Sequence, residues 1–338
     1  SKKFKIKNSV MNNSGSSANL LAISSLMSFN LKKRLKPGDE IIVPALSWST
    51  TIWPIIQNGL VPVIVDIDPY TLNISIEGIK KSISKKTKAI MPVHVYGNPC
   101  DMNKIIEICK TNKLFLIEDS CESLGAKYKN KNVGTFGDVG TFSFYFSHHI
   151  TTFEGGICIT DREDLAEIIR IQRAHGWLRE VKNKKTRDRY ARKYPQFDER
   201  FLFADLGFNL RPTEMQASVG SIQLTKLDGF VKNRQKIAKN LSYFFSNYEK
   251  QLSIQIPTPG SEHSWFGYPI ILKEKSNIKV SVIRKFFEKE GIETRPIICG
   301  NIAKQPAIKN YKYKIRTKLS NSDNIMKNGF AIPCHQYI

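Results

Sequence analysis

His148 and His149 stand in the run SFYFSHHITTFEGG, residues 143–156, between an apolar segment that reads as a strand and a glycine turn. An imidazole placed there can take and give a proton near neutral pH. Three other stretches bear on what that transfer would serve. NSGSSAN, residues 13–19, leads straight into the apolar LLAISSL. The first turn of a helix has unpaired N–H groups and a partial positive charge, so it can hold a phosphate. A plain serine N-cap fits the same pattern. LFLIEDSCE, residues 114–122, ends an apolar run on acids. In open α/β sheets ligands sit beyond the carboxyl ends of the strands, where a carboxylate can pair with a protonated ring nitrogen or a metal. Glu118, Asp119 and Glu122 alone make a thin ligand set, so no metal site is expected. Ser143, finally, stands five residues before His148.

The elements that must position these residues alternate. Apolar, β-rich runs at Glu40–Pro44 and at residues 61–66, 89–95, 114–119, 139–146 and 156–160 are separated by amphipathic stretches such as 74–83 and 102–109. Alternation of this kind predicts βαβ units and a mostly parallel central sheet, an α/β fold. Beyond about residue 222 the pattern changes. A helix over 226–247, a loop with Pro257 and Pro259, a strand over 268–272 and a helix over 280–290 predict a smaller α+β unit. The expected division is residues 1–230 for a large α/β domain and 231–338 for a small C-terminal one.

Composition narrows the function. The 338 residues are 41% hydrophobic and 24% charged, as in an ordinary globular chain. Neither a bilayer-length apolar run nor a secretory leader pattern is visible, so a cytoplasmic location is the default expectation, with no membrane partner. The six cysteines are scattered without a CxxC pair and read as buried, reduced thiols. The net charge of +22 admits a nucleic-acid surface. The lysines, however, are spread along the chain, and the densest run, residues 182–193 (KNKKTRDRYARK), reads as a solvated face. No zinc-finger, RNP or basic-zipper pattern accompanies it, so no nucleic-acid partner is expected.

NSGSSAN, IIVPALSWSTT, PVHVYGNP, LIEDSCESLGA, GTFGDVGTFSF, ITTFEGG, AHGW and NLRPTEMQA, in this order and spanning nearly the whole chain, resemble the DegT/DnrJ/EryC1/StrS family of sugar aminotransferases. The resemblance implies a pyridoxal-phosphate-dependent transferase of fold type I. Most members of that family carry a lysine at the position of His148, where it holds the cofactor covalently. Histidine there resembles the family's sugar 3-dehydratases, of which a CDP-linked kind bears an iron–sulfur cluster and a GDP-linked kind does not. Residues 176–209 contain no cysteine, so no cluster is expected and the GDP-linked kind is favoured.

What this resemblance implies is specific. His148 is the proton-transferring catalytic residue of a nucleotide-sugar 3-dehydratase, working with pyridoxal 5'-phosphate and its amine form, pyridoxamine 5'-phosphate. L-glutamate gives the amino group, a 4-keto-6-deoxy nucleotide sugar loses its C3 hydroxyl, and ammonia is released, as in deoxysugar biosynthesis. Asp119 pairs with the ring nitrogen. Ser17, the Ala18 N–H and Ser143 bind the cofactor phosphate, with Asn209 reaching it from the second subunit of a homodimer. Trp48 stacks on the ring, and Glu122 lies by the ring hydroxyl. His175, Arg179 and Arg211 orient glutamate or the sugar nucleotide. Each has an ordinary alternative: Trp48 as core aromatic, Arg211 before Pro212 as a helix start, His175 as a surface histidine, His149 as a local hydrogen-bonding group. An aminotransferase that keeps the amine on the sugar and an inactive cofactor-fold binding protein are the competing readings. Family members usually carry a segment ahead of NSGSSAN and another beyond NGFAIPCHQ, so the chain is expected to be trimmed at both ends.

Overall fold

The computed structural model describes residues 2–276 and 278–338. Its centre is an eight-stranded sheet. In spatial order the strands are Asn8–Asn12, Gly156–Thr160, Val139–Ser143, Phe115–Asp119, Thr87–Ile90, Glu40–Pro44, Val61–Val65 and Lys314–Ile315. Gly156–Thr160 runs antiparallel to both of its neighbours, and the remaining pairs are parallel. Every residue of the Glu40–Pro44, Val61–Val65 and Phe115–Asp119 strands is buried. Helices cover both faces of such a sheet, which is why these runs, apart from the acids Glu40, Glu118 and Asp119, are apolar on both sides rather than alternating. One apolar core joins the Gly15–Ser25 helix to the sheet through Ala18, Leu21, Val43 and Ile117. On the opposite face Ile42, Val65 and Ile90 pack with Met102 and Ile105 of the Met102–Asn112 helix.

A second sheet, Leu252–Ile254, Tyr268–Leu272 and Gly329–Ile332, is antiparallel throughout. The helix Glu214–Phe245 leads into it. That helix begins 12 residues before the start expected from apolar periodicity. Thr213 and Gln216 form a capping box that fixes its first turn, and Met215, Val219 and Ile222 recur there at helical spacing although no residue of the helix before Leu227 is buried. The expected strand over 89–95 is shorter, Thr87–Ile90. Pro92 has no N–H to extend the ladder, and only an isolated bridge, Val93 to Asp119, continues it. The basic run forms the helix Lys184–Lys193, in which no residue is buried.

The C-terminal region returns to the large sheet through Lys314–Ile315. Glu40, at 1% exposure, accepts from Lys314 Nζ at 2.8 Å and from Arg316 Nη2 at 2.8 Å. Burial alone would raise the Glu40 pKa, but hydrogen bonds from Lys314, Ser84 and Arg316 pull it down to about 2. The ion pair therefore fastens the last strand to the sheet.

Candidate active site

Strand register sets the site. Gly156 pairs with Asn12 on one side and with Ser143 on the other. The strand ends at Asn12 and Ser143 are thus level, and the helix Gly15–Ser25 starts beside Ser143. A Cβ built on Gly15 would stand 2.4 Å from Ser143 Cβ, and one built on Gly156 would stand 2.1 Å from the Ser14 carbonyl oxygen. Only glycine permits both approaches. Ser14 caps the helix: its Oγ accepts from the Ser17 N–H at 3.1 Å and donates to Ser17 Oγ at 3.0 Å. The Ala18 N–H donates to the Ser14 carbonyl at 3.0 Å, the first bond of the helix. An anion at this turn would therefore meet the N–H groups of Gly15 and Ser16, and the Ser143 hydroxyl, ahead of Ala18.

Asp119 and Ser143 end adjacent parallel strands, with Asp119 opposite Thr141. Asp119 is 4% exposed. Its Oδ2 accepts from Asn19 Nδ2 at 2.9 Å and from Thr51 Oγ1 at 2.7 Å, and its Oδ1 accepts from the Cys121 N–H at 3.2 Å. Asn19 is itself held by Thr141, whose Oγ1 donates to its Oδ1 at 2.6 Å. Among the described residues Asp119 has no cationic partner. Its carboxylate thus sits buried and without a counter-ion at the end of the Phe115–Asp119 strand. A protonated pyridine nitrogen fits that position, and the helix start beside Ser143 fits the phosphate of the same cofactor.

Glu122 lies close by. Its Oε2 accepts from the Tyr96 N–H at 2.9 Å. Burial raises its pKa to about 7; the Tyr96 N–H works against this and the Asp119 charge adds to it. Trp48, 58% exposed, heads the Ser49–Gln57 helix, and the Ser47 carbonyl before it accepts from Cys299 Sγ at 2.9 Å.

His148 is half-buried. Its ring lies 5.0 Å from that of Phe266 and meets Tyr145 edge-on at 6.2 Å. Burial first, and the Arg234 charge second, hold its pKa down at about 4. The ring is therefore neutral, in its proton-accepting form, at neutral pH. His149 is buried at 1% exposure; its Nε2–H donates to the Ser264 carbonyl at 3.0 Å. It is a structural neighbour, held neutral by burial.

His175, Asn209 and Arg211 form a separate group on the surface. Ala174 bridges Asn209, and Arg211 Nη2 lies 3.3 Å from His175 Nε2. Asn209 and Arg211 are exposed. The group is tied to the helix start because the Asn13 N–H donates to the Leu210 carbonyl at 3.0 Å. Arg179 lies over the Trp177 ring at 5.5 Å.

Motif reading passed over Asn19, Thr51, Thr141 and Tyr96. Asn19 and Thr51 lie inside the NSGSSAN and SWSTT runs, but their aim at Asp119 depends on three separate elements meeting.

The family model for the DegT/DnrJ/EryC1/StrS aminotransferases matches residues 1–338. The chain belongs to this family. It is 42% identical over 336 residues to GDP-4-keto-6-deoxy-D-mannose 3-dehydratase of Escherichia coli O55:H7, a match covering 99% of this chain and 85% of that protein. To the protein of the same name in Yersinia pseudotuberculosis it is 44% identical over 341 residues, covering 98% and 84%. A solved GDP-4-keto-6-deoxymannose-3-dehydratase with a trapped PLP-glutamate geminal diamine superposes with a TM-score of 0.91 at 41% identity, covering 99% of this chain and 86% of that one. The fold-type I expectation and the resemblance read from the motifs agree with these findings.

Proposed function

We propose that this chain is a nucleotide-sugar 3-dehydratase. It removes the C3 hydroxyl of a GDP-linked 4-keto-6-deoxy hexose, takes its amino group from L-glutamate and releases ammonia. The observation that carries the reading is His148: a neutral imidazole stands where this family usually has a lysine, five residues after Ser143, the strand end that meets the Gly15–Ser25 helix start. The names of the two relatives and the PLP-glutamate adduct of the solved one support the same substrate, donor and cofactor.

When bound, the cofactor supplies a protonated ring that acts as an electron sink. The chain's own residues supply the rest. Asp119 holds the proton on the ring nitrogen, and Asn19 and Thr51 keep that carboxylate aimed. Ser17, Ser143 and the first N–H groups of the Gly15–Ser25 helix take the phosphate, and Trp48 covers the ring. Glu122 sits by the ring hydroxyl. His148 accepts a proton from the cofactor's reacting carbon and returns it to the departing C3 hydroxyl, general acid–base work of about 10²–10⁴-fold in rate. Having no primary amine, it cannot hold the cofactor covalently or recapture it, so the amine form serves as a resting state and nitrogen is lost as ammonia instead of staying on the sugar.

The surface group completes the site in a homodimer. Asn209 of the partner subunit reaches the phosphate, while His175, Arg179 and Arg211 orient glutamate or the nucleotide, since guanidinium matches carboxylate and phosphate. Phe201, Phe203, Leu206 and Met215, exposed at 59–76%, lie along the chain on either side of Asn209 and give such an interface its apolar surface. Among the described residues no helix is long and apolar enough to cross a membrane, and a cytoplasmic setting suits a reaction on nucleotide sugars.

The test is incubation with cofactor, L-glutamate and a panel of 4-keto-6-deoxy nucleotide sugars. Free ammonia and a 3-deoxy ketone from the GDP-linked member are expected. An amino sugar without ammonia would make the chain an aminotransferase and refute the proposal.

A further inference from the structure

Arg234, in the middle of the Glu214–Phe245 helix, is among the largest fully buried side chains, at 1% exposure. Its Nε donates to Gln336 Oε1 at 2.8 Å. Its Nη1 donates to three carbonyls, those of Trp265 and Phe266 at 3.0 Å and that of Cys334 at 3.1 Å. None of these partners is a carboxylate, and Nη2 has no partner among the described residues. A buried cation without a counter-ion is costly, and a neutral side chain could have bridged fewer of these oxygens without that cost.

The segment it grips, residues 263–266, is unusual. Trp265 adopts φ +51°, in the left-handed region that non-glycine residues rarely enter, and two successive carbonyls of this bend meet the guanidinium. The Trp265 ring stacks on His263 at 3.8 Å. His263 is fixed as a neutral tautomer, accepting from the Trp265 N–H at Nδ1 and donating to Gln255 Oε1 from Nε2. The other side of the segment faces the site. The Ser264 carbonyl receives His149 Nε2–H. The Phe266 ring lies 5.0 Å from the His148 ring and 6.0 Å from that of His149. The Phe266 N–H donates to the Tyr96 carbonyl at 2.7 Å, and it is Tyr96 whose N–H holds Glu122.

We propose that Arg234 is a positioning residue for the reaction, fixing residues 263–266 as the wall against which the His148 ring is oriented. The inference rests on the role given above to His148. The groups that face His148 from its surroundings are His149, Tyr145 and Arg234, and of these Arg234 is the one fixed positive charge. It therefore also disfavours the protonated imidazole, in the direction already noted for His148.

The test uses ¹³C-labelled histidine in the cofactor-free protein, with the His148 resonance assigned from His148→Asn, alongside turnover of the loaded enzyme. In Arg234→Met the His148 titration midpoint is expected to rise toward the ordinary imidazole value. Turnover should fall roughly 10- to 100-fold, the scale of a misplaced catalytic group, with the KM for glutamate unchanged. Arg234→Lys keeps the charge but has three donors for four oxygens, so its midpoint should stay low while turnover still falls. An Arg234→Met protein that folds and keeps both the wild-type midpoint and wild-type turnover overturns the proposal. If that variant does not fold, Phe266→Leu decides, because it leaves the Arg234 bonds to backbone in place: reduced turnover supports the wall, and wild-type turnover overturns it. A wild type that releases no ammonia from any sugar would sink the proposed function, while the titration arm would still judge Arg234.

Discussion

Gly15 and Ser143 touch so closely that a single methyl group on Gly15 would lie 2.8 Å from the serine hydroxyl and 2.4 Å from its Cβ. The contact brings a helix start and a strand end to one point. Gly15→Ala must push the two elements apart. The expected result is a weakened grip on pyridoxal phosphate, by about tenfold or more, with the sheet intact. Cofactor titration followed by absorbance, with circular dichroism as the control, measures it. Wild-type affinity in the alanine variant would show that the cofactor's phosphate does not sit there.

Two replacements of His148 separate its roles. His148→Asn keeps a polar side chain but cannot shuttle a proton, so ammonia release should drop by at least about 10²-fold. His148→Lys restores a primary amine and should give a covalent link to the cofactor that borohydride fixes, seen as a mass increase on the protein. Undiminished ammonia release by the asparagine variant would remove His148 from the chemistry.

Glu122 makes stability depend on pH in an unusual direction. Its folded pKa, about 7, lies above the ordinary carboxyl value of 4.5. The folded state then holds the proton more tightly, so this contribution is complete below about pH 4.5 and is lost as pH rises through 7. In the cofactor-free protein Glu122→Gln should remove a loss of about 1–3 kcal/mol over that window. Denaturant melts at pH 5 and pH 8 provide the comparison. Equal pH dependence in wild type and variant would contradict the assignment.

Glu40 works in the opposite sense. Its folded pKa of about 2 lies below 4.5. Its stabilisation is present above about pH 4.5 and disappears as pH falls toward 2. Glu40→Gln strands Lys314 and Arg316 and should cost about 2–3 kcal/mol at pH 7, with little difference from wild type near pH 2. Thermal melts across that range check it, as does protease sensitivity around residues 312–318, which should rise if the edge strand is released.

Local pattern by itself determined much of this protein. Continuous apolar runs such as VPVIV can be satisfied only inside a covered sheet, and an acid ending one of them, Asp119, marks the ligand side of that sheet. The motif order assigned the chain to its family, and a departure within it, His148 in place of lysine, pointed to the chemistry. Tertiary structure decided what depends on segments far apart in the chain. Asn8–Asn12 is too short and mixed to announce itself as a strand, yet its pairing with Gly156–Thr160 brings Gly15 to Ser143. Thr51 and Asn19 read as ordinary helix residues until three elements aim them at Asp119. Arg234 reads as one more cation on an amphipathic helix. It is buried because Cys334 and Gln336, about a hundred residues later, close over it together with the bend at Trp265. Hydrophobic periodicity reports which face of an element is covered, but the partner that covers it is chosen by the assembled fold.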